Sequence, residues 1–180
     1  MVRGSRSRYR RRNRAGLWIF GSAVVVLLLL VLFIRYVMAI DSVENEKENA
    51  AIERAKQEVA FEQIIDVERS VWDKVTYVVK GTDTNGVEQL VFVQGDEANV
   101  KQASDGKTKE QIREQLLGLY PEASIIRISL NKVTLDQKEE YVWETQVRRK
   151  DEQGEKRVFY QFFRFTDGSP LGEAYSMPNQ

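Results

Sequence analysis

The chain is 180 residues long, with 27 Lys+Arg against 27 Asp+Glu, no cysteine and no histidine. That length holds one domain or two very small ones. The missing residue types exclude disulfide frameworks, iron–sulfur centres, thiolate or imidazole zinc sites, histidine-ligated haem and Ser-His-Asp catalysis. The zero net charge conceals a segregation: residues 1–14 hold seven arginines and no acid, whereas 41–180 hold all 27 acids and 19 of the bases.

Residues 15–34 (AGLWIFGSAVVVLLLLVLFI) contain no charged side chain. At ~1.5 Å per residue a helix of this length reaches ~30 Å, the thickness of a bilayer's hydrocarbon core. A buried core helix rarely runs so far without a polar face. The reading is a transmembrane signal-anchor over 15–36, with Trp18 and Tyr36 at headgroup level. Seven arginines precede it and a single one, Arg35, follows before the acids begin. The positive-inside rule therefore makes 1–14 a cytoplasmic tail and exports 41–180, a single pass with N inside and C outside. Val37-Met38-Ala39 offers small residues for cleavage after Ala39, but the apolar stretch is longer than the ~7–15 residues of a secretory signal, which favours an uncleaved anchor. The arginine cluster is read as a topogenic signal beside an anionic leaflet rather than a nucleic-acid arm. An exported domain without disulfides points to a Gram-positive envelope.

Beyond the anchor, a first module is expected over 41–95. Its helix, 43–63, lacks Gly and Pro, carries Ile52, Ala55 and Val59 on one face, and has Asp41 or Ser42 as a cap. Val75, Tyr77 and Val79 alternate, Asn85-Gly86 marks a turn, and 89–93 (QLVFV) returns, which predicts a hairpin over about 74–94. Residues 96–107 (DEANVKQASDGK) are polar and read as a linker. A second module is expected over 108–175. Thr108 and Gln111 form a capping box, Ile112, Leu116, Leu119 and Tyr120 line a helix over 108–120, and strands follow over about 125–166 with Gly154 at the hairpin tip. A further turn is expected at 167–172. Tyr77-Val78 and Tyr141-Val142 occupy equivalent places, so the two units read as an internal duplication. Phe159, Phe163 and Phe165 fall on one strand face and Tyr160 and Phe162 on the other. Both faces should therefore be covered, most simply by packing of one unit on the other, with a partner protein as the alternative. The fold class is α+β.

Four constellations bear on chemistry. Ser104-Asp105-Gly106-Lys107 and Lys107-Thr108-Lys109 approach the S-x-x-K and K-T-G patterns of penicillin-interacting enzymes, but Asp-Gly breaks the helical turn that would bring Ser to Lys, and no S-D-N is present. Glu139-Glu140, Asp151-Glu152 and Asp96-Glu97 lie in turns or at strand starts, where a solvated surface explains them better than a glycosidase pair. Asp83, Asn85 and Glu88 lack EF-hand spacing for calcium. A basic hairpin, 148–157, sets Arg148-Arg149-Lys150 against Lys156-Arg157. It reads either as contact with an acidic partner or anionic polymer, or, as favoured here, as a hairpin neutralised by Asp151, Glu152 and Glu155. No catalytic, cofactor-binding or metal residue is assigned, no cofactor is implied, and partner-binding residues stay unassigned.

The layout of basic tail, anchor, acidic helix and two helix-plus-hairpin units resembles the TseB-like (YpmB) family of cell-wall elongation regulators. The resemblance lies in Val75–Asp83 with Gly86, in Tyr141-Val142-Trp143-Glu144, and in Phe165-Thr166-Asp167-Gly168. It covers roughly 40–172. It implies tandem PepSY-like, cystatin-like modules, each a helix against an antiparallel sheet. It further implies a non-catalytic cell-membrane protein that binds a class B penicillin-binding transpeptidase, with no nucleic acid and no small-molecule substrate. The alternative it leaves is a PepSY-type inhibitor or regulator of an extracellular peptidase.

Overall fold

The computed structural model describes residues 9–135 and 137–176, and within them the side chains other than those of 9–17 and 37–43. Part of the arginine-rich tail and the side chains of the 37–39 cleavage motif therefore lie outside the described residues. Helix α1 spans Tyr9–Glu58. Within it Trp18–Tyr36, 19 residues with mean hydropathy 2.5 and none of it buried, is long and apolar enough to cross a membrane. The chain divides into two compact units, one ending at Lys47 and the other starting at Glu48.

The second unit holds the end of α1 and two four-stranded antiparallel meanders. The first sheet is β1 (Phe61–Val71), β2 (Val75–Asp83), β3 (Glu88–Gln94) and β4 (Glu97–Gln102), in that order. Helix α2 (Lys109–Leu119) follows, then β5 (Ser124–Leu135), β6 (Lys138–Lys150), β7 (Lys156–Arg164) and β8 (Pro170–Ser176), again in chain order. The chain thus reads helix and four strands, twice. Further parallels between the two sheets accompany it. Both first strands carry a bulge that skips an isoleucine, Ile65 in β1 and Ile126 in β5, and leaves it exposed. Both hairpin tips place a glycine at positive φ, Gly86 at 78° and Gly154 at 83°, a conformation that glycine adopts without a Cβ penalty.

Strand alternation sorts the apolar residues into three cores. Tyr77, Val79, Val91 and Val93 face Ala51 and Ala55 of α1. The opposite face of that sheet, Val78, Leu90 and Phe92, joins Ile112 and Leu116 of α2 and the helix-side residues of the second sheet, including Trp143, Phe159 and Phe163. The remaining face of the second sheet, Val133, Val142 and Phe162, is packed by Trp72 from the β1–β2 turn. Phe159, Phe163 and Phe165 share one core and Phe162 lies in another, so both faces of β7 are covered, and by the chain itself.

Several expectations need correction. Helix α1 runs through 41–42 unbroken, so neither Asp41 nor Ser42 caps a helix start, and it stops at Glu58 rather than 63. The chain turns into β1 because Phe61, Ile64 and Val67 pack on the same core as Ala55 and exchange backbone bonds with β2. Residues 96–107 are not a bare linker. They form β4 and a single 3-10 turn, Ala103–Asp105. As an edge strand β4 exposes much of its polar surface while its backbone pairs with β3 and Ala98 reaches the core. The stretch 167–172 contains a turn but continues into β8, with Gly168 and Gly172 at positive φ.

Candidate functional site

Polar groups are concentrated where the two sheets meet. Glu144, 7% exposed, accepts from Ser70 Oγ at 2.8 Å and Asn131 Nδ2 at 2.9 Å. Gln94 Nε2 donates to Thr76 Oγ1 and to the Lys132 carbonyl, each at 2.7 Å. The Lys132 side chain is 3% exposed, and its Nζ lies 2.9 Å from Glu139 and 3.4 Å from Glu97. Burial alone would lower its pKa, but the Glu139 carboxylate, then Glu97, outweigh burial and hold it above the ordinary 10.5. Burial pushes the neighbouring Tyr141 phenol up. Arg127 donates to the Arg69 carbonyl, and the backbone N–H of Thr134 to Asp73 at 3.1 Å. These groups join the first sheet to β5 and β6 and rigidify the pair.

Beside this seam a cleft of about 260 Å³ opens between the first sheet and the start of α2. Val78, Leu90, Leu130 and Trp143 contribute apolar surface, and Lys80 and Glu68 charge. Lys109 Nζ meets Glu68 across it at 3.0 Å. The α2 start is fixed by the expected capping box, with Thr108 Oγ1 accepting from Gln111 N at 3.2 Å and Gln111 Oε1 from Thr108 N at 3.0 Å. Lys107 is pinned on both sides: its carbonyl accepts from Trp143 Nε1 at 2.9 Å and its N–H donates to the Phe165 carbonyl at 2.8 Å. A Cβ at Gly106 would meet the Phe165 ring at 2.5 Å, so glycine lets this segment approach.

The Ser–Lys pattern, the paired carboxylates and the 83, 85 and 88 trio are taken up by structure. Ser104 sits in the 3-10 turn and donates to Gln102 at 3.4 Å, while Lys107 lies in the pinned segment, so no Ser–Lys pair forms. Glu139 and Glu97 hold Lys132, and Glu140 lies 3.7 Å from Arg164. Asp151 holds its turn by accepting from Gln153 N and Glu155 N at 3.0 and 2.8 Å. Asp83 accepts from Gln89 Nε2 at 2.9 Å, Val87 N at 3.0 Å and Asn85 N at 2.8 Å. The Gln89 and Val87 bonds draw its pKa below the ordinary value. Glu88 is committed to Lys80 at 3.0 Å, so the trio at 83, 85 and 88 builds a turn. Among the described residues no group of His, Cys, Asp and Glu is placed to hold a metal ion. The arrangement makes a rigid polar seam with an open cleft beside it.

Comparison with known proteins agrees with the resemblance read from the sequence. Residues 50–94 match the family model described as the cell wall elongation regulator TseB-like domain. They run from the end of α1 to β3. The solved structure of the YpmB protein from Bacillus subtilis shares the fold with a TM-score of 0.59 at 24% identity, covering 72% of this chain and 96% of that one. No curated protein matches by sequence. The two findings support the TseB-like (YpmB) family as the one this chain resembles, and the family-model match supports a general role in regulating wall elongation.

Proposed function

We propose that this protein is a non-catalytic, single-pass membrane regulator whose residues 41–180 lie outside the cell and bind a class B penicillin-binding transpeptidase. The observation that carries the reading is the TseB-like match over residues 50–94. The arginine asymmetry about the exposed apolar helix supports this orientation, and the cleft between the first sheet and α2, with its apolar and charged groups, is the surface proposed for contact. Confinement to the membrane raises the effective concentration at which a weak contact forms. A chain lacking residues 1–34 is accordingly expected to fold in solution and to lose its effect on wall elongation in cells.

Photocrosslinking in live cells, scanned along 140–165 and along the cleft, tests the partner. A transpeptidase recovered from one contiguous face supports the proposal. Recovery of an extracellular peptidase from that face would replace it with the peptidase-regulator reading.

A further inference from the structure

Five basic side chains crowd the β6–β7 hairpin, and the fold separates them into two groups. Arg157 is neutralised, with Nε 2.8 Å from Asp151 and a second nitrogen 2.8 Å from Glu155. Arg148, Arg149, Lys150 and Lys156 instead line a concave pocket of about 240 Å³ with Glu122 and Ser124. Glu122 is the one acid there, and it sits 3.6 Å from Lys150 with its side chain 85% exposed. Arg148 and Lys156 make no side-chain hydrogen bond or ion pair among the described residues.

Arg149 is fixed in place. Its guanidinium lies 4.4 Å from the centre of the Tyr120 ring and 3.8 Å from that of Phe159, and its Nε is buried without a hydrogen-bond partner. The register sets Lys150 opposite Lys156 and Arg149 opposite Arg157, and like charges directly across a strand pair are destabilising. Arg149 Nη1 donates to the Lys150 carbonyl at 3.4 Å, and a guanidinium held this way, inside a pocket whose cations repel one another, is suited to an anion that answers them together.

We propose that this pocket binds the phosphate groups of a soluble polyanion. One carboxylate would leave most of the local charge unanswered, whereas a phosphate brings several acceptor oxygens to the fork of Arg149 and the flanking cations. A concavity this small admits one such group of a chain rather than the plane of a bilayer surface. The surrounding acid-rich surface would repel a polyanion elsewhere, which confines binding to the hairpin.

The test uses the full chain in neutral-lipid nanodiscs and a short inorganic polyphosphate, titrated by calorimetry at about 0.15 M salt, where the Debye length is about 8 Å. The double substitution Arg148→Gln/Lys156→Gln is expected to weaken binding about tenfold or more, having removed two charge-assisted contacts. Lys74→Gln/Lys138→Gln, which removes the same charge from exposed sites elsewhere, is expected to change it by about twofold or less. The first pair should also melt at a slightly higher temperature without ligand, because it relieves repulsion. Equal losses from both pairs would reduce the effect to general attraction and overturn the pocket. Absence of binding by the parent chain would overturn it outright. A poly-glutamate of equal length bound as tightly would overturn the preference for phosphate.

Discussion

In the first module the helix presents Ala51 and Ala55 to its sheet, both at most 4% exposed; in the second, Ile112 and Leu116 stand in the same place, each fully buried. The first helix stripe is thin, and the first sheet gains its large apolar contacts on the other side, where Val78, Leu90 and Phe92 enter the core built by α2 and the second sheet. The second sheet has α2 on one face and, on the other, a cover from Trp72 of the first module, whose ring lies 4.8 Å from Phe162, 5.8 Å from Tyr160 and 6.0 Å from Tyr175. Each module therefore completes the core of the other. About sixty residues bury only about 60% of their surface, so two units of this size gain stability by sharing a core.

The sharpest way to break that comparison is Phe92→Ala. Phe92 belongs to the first sheet but lies in the shared core with no exposure, so the loss is expected to be about 3–5 kcal/mol. Far-UV circular dichroism and amide exchange read on both sheets should then shift together in one transition. Two separate transitions would show that the modules fold independently.

Trp72→Ala removes the first module's cover from the second sheet. Because the ring is only partly buried, a loss of about 2 kcal/mol is expected, part of it from aromatic pairs worth about 0.5–1.5 kcal/mol each. Denaturant midpoints measure it, and an unchanged midpoint would mean the second sheet needs no cover there.

Lys132→Met tests the polar seam. The carboxylates it leaves behind are more than half exposed and can rehydrate, so the cost is expected to be about 1 kcal/mol. The folded pKa of Lys132 is raised above 10.5, so its contribution is complete below 10.5 and is lost as pH rises through the folded value. The parent chain should lose stability on that alkaline limb, and the variant should lose less.

The smallest effect concerns the turns. Hydrogen bonds from Gln89 and Val87 to Asp83, and from Ser169 to Asp167, draw both carboxyls below the ordinary 3.8. Their contribution is present above 3.8 and disappears as pH falls through the folded values. Asp83→Asn/Asp167→Asn should lower stability at neutral pH and converge with the parent in acid. A constant gap across that range would contradict it.

Much of this architecture was legible in the sequence. The long apolar helix, the capping box at Thr108 and Gln111, the glycine tips at 86 and 154 and the two faces of β7 follow from periodicity and turn chemistry. Two strands that read as loop or turn in the sequence, β4 and β8, are edge strands. Their apolar residues are few, because one side of each ladder and much of their surface meets water, so alternation is faint and polar composition reads as loop. The early end of α1 was hidden for a related reason: local propensity favours helix through 63, while packing of Phe61 and Ile64 on the first sheet decides otherwise. The basic hairpin was visible as charge alone. Which of its cations are neutralised depends on where Asp151, Glu155 and the Tyr120 ring fall in three dimensions.

Because the chain contains no cysteine, one introduced thiol reports its own location. A Glu152→Cys variant, at the exposed β6–β7 turn, treated in intact cells with a membrane-impermeant maleimide, should be labelled without lysis, whereas Ser7→Cys should be labelled only after the membrane is opened. The reverse pattern would place the two sheets in the cytoplasm and contradict a role at the cell wall.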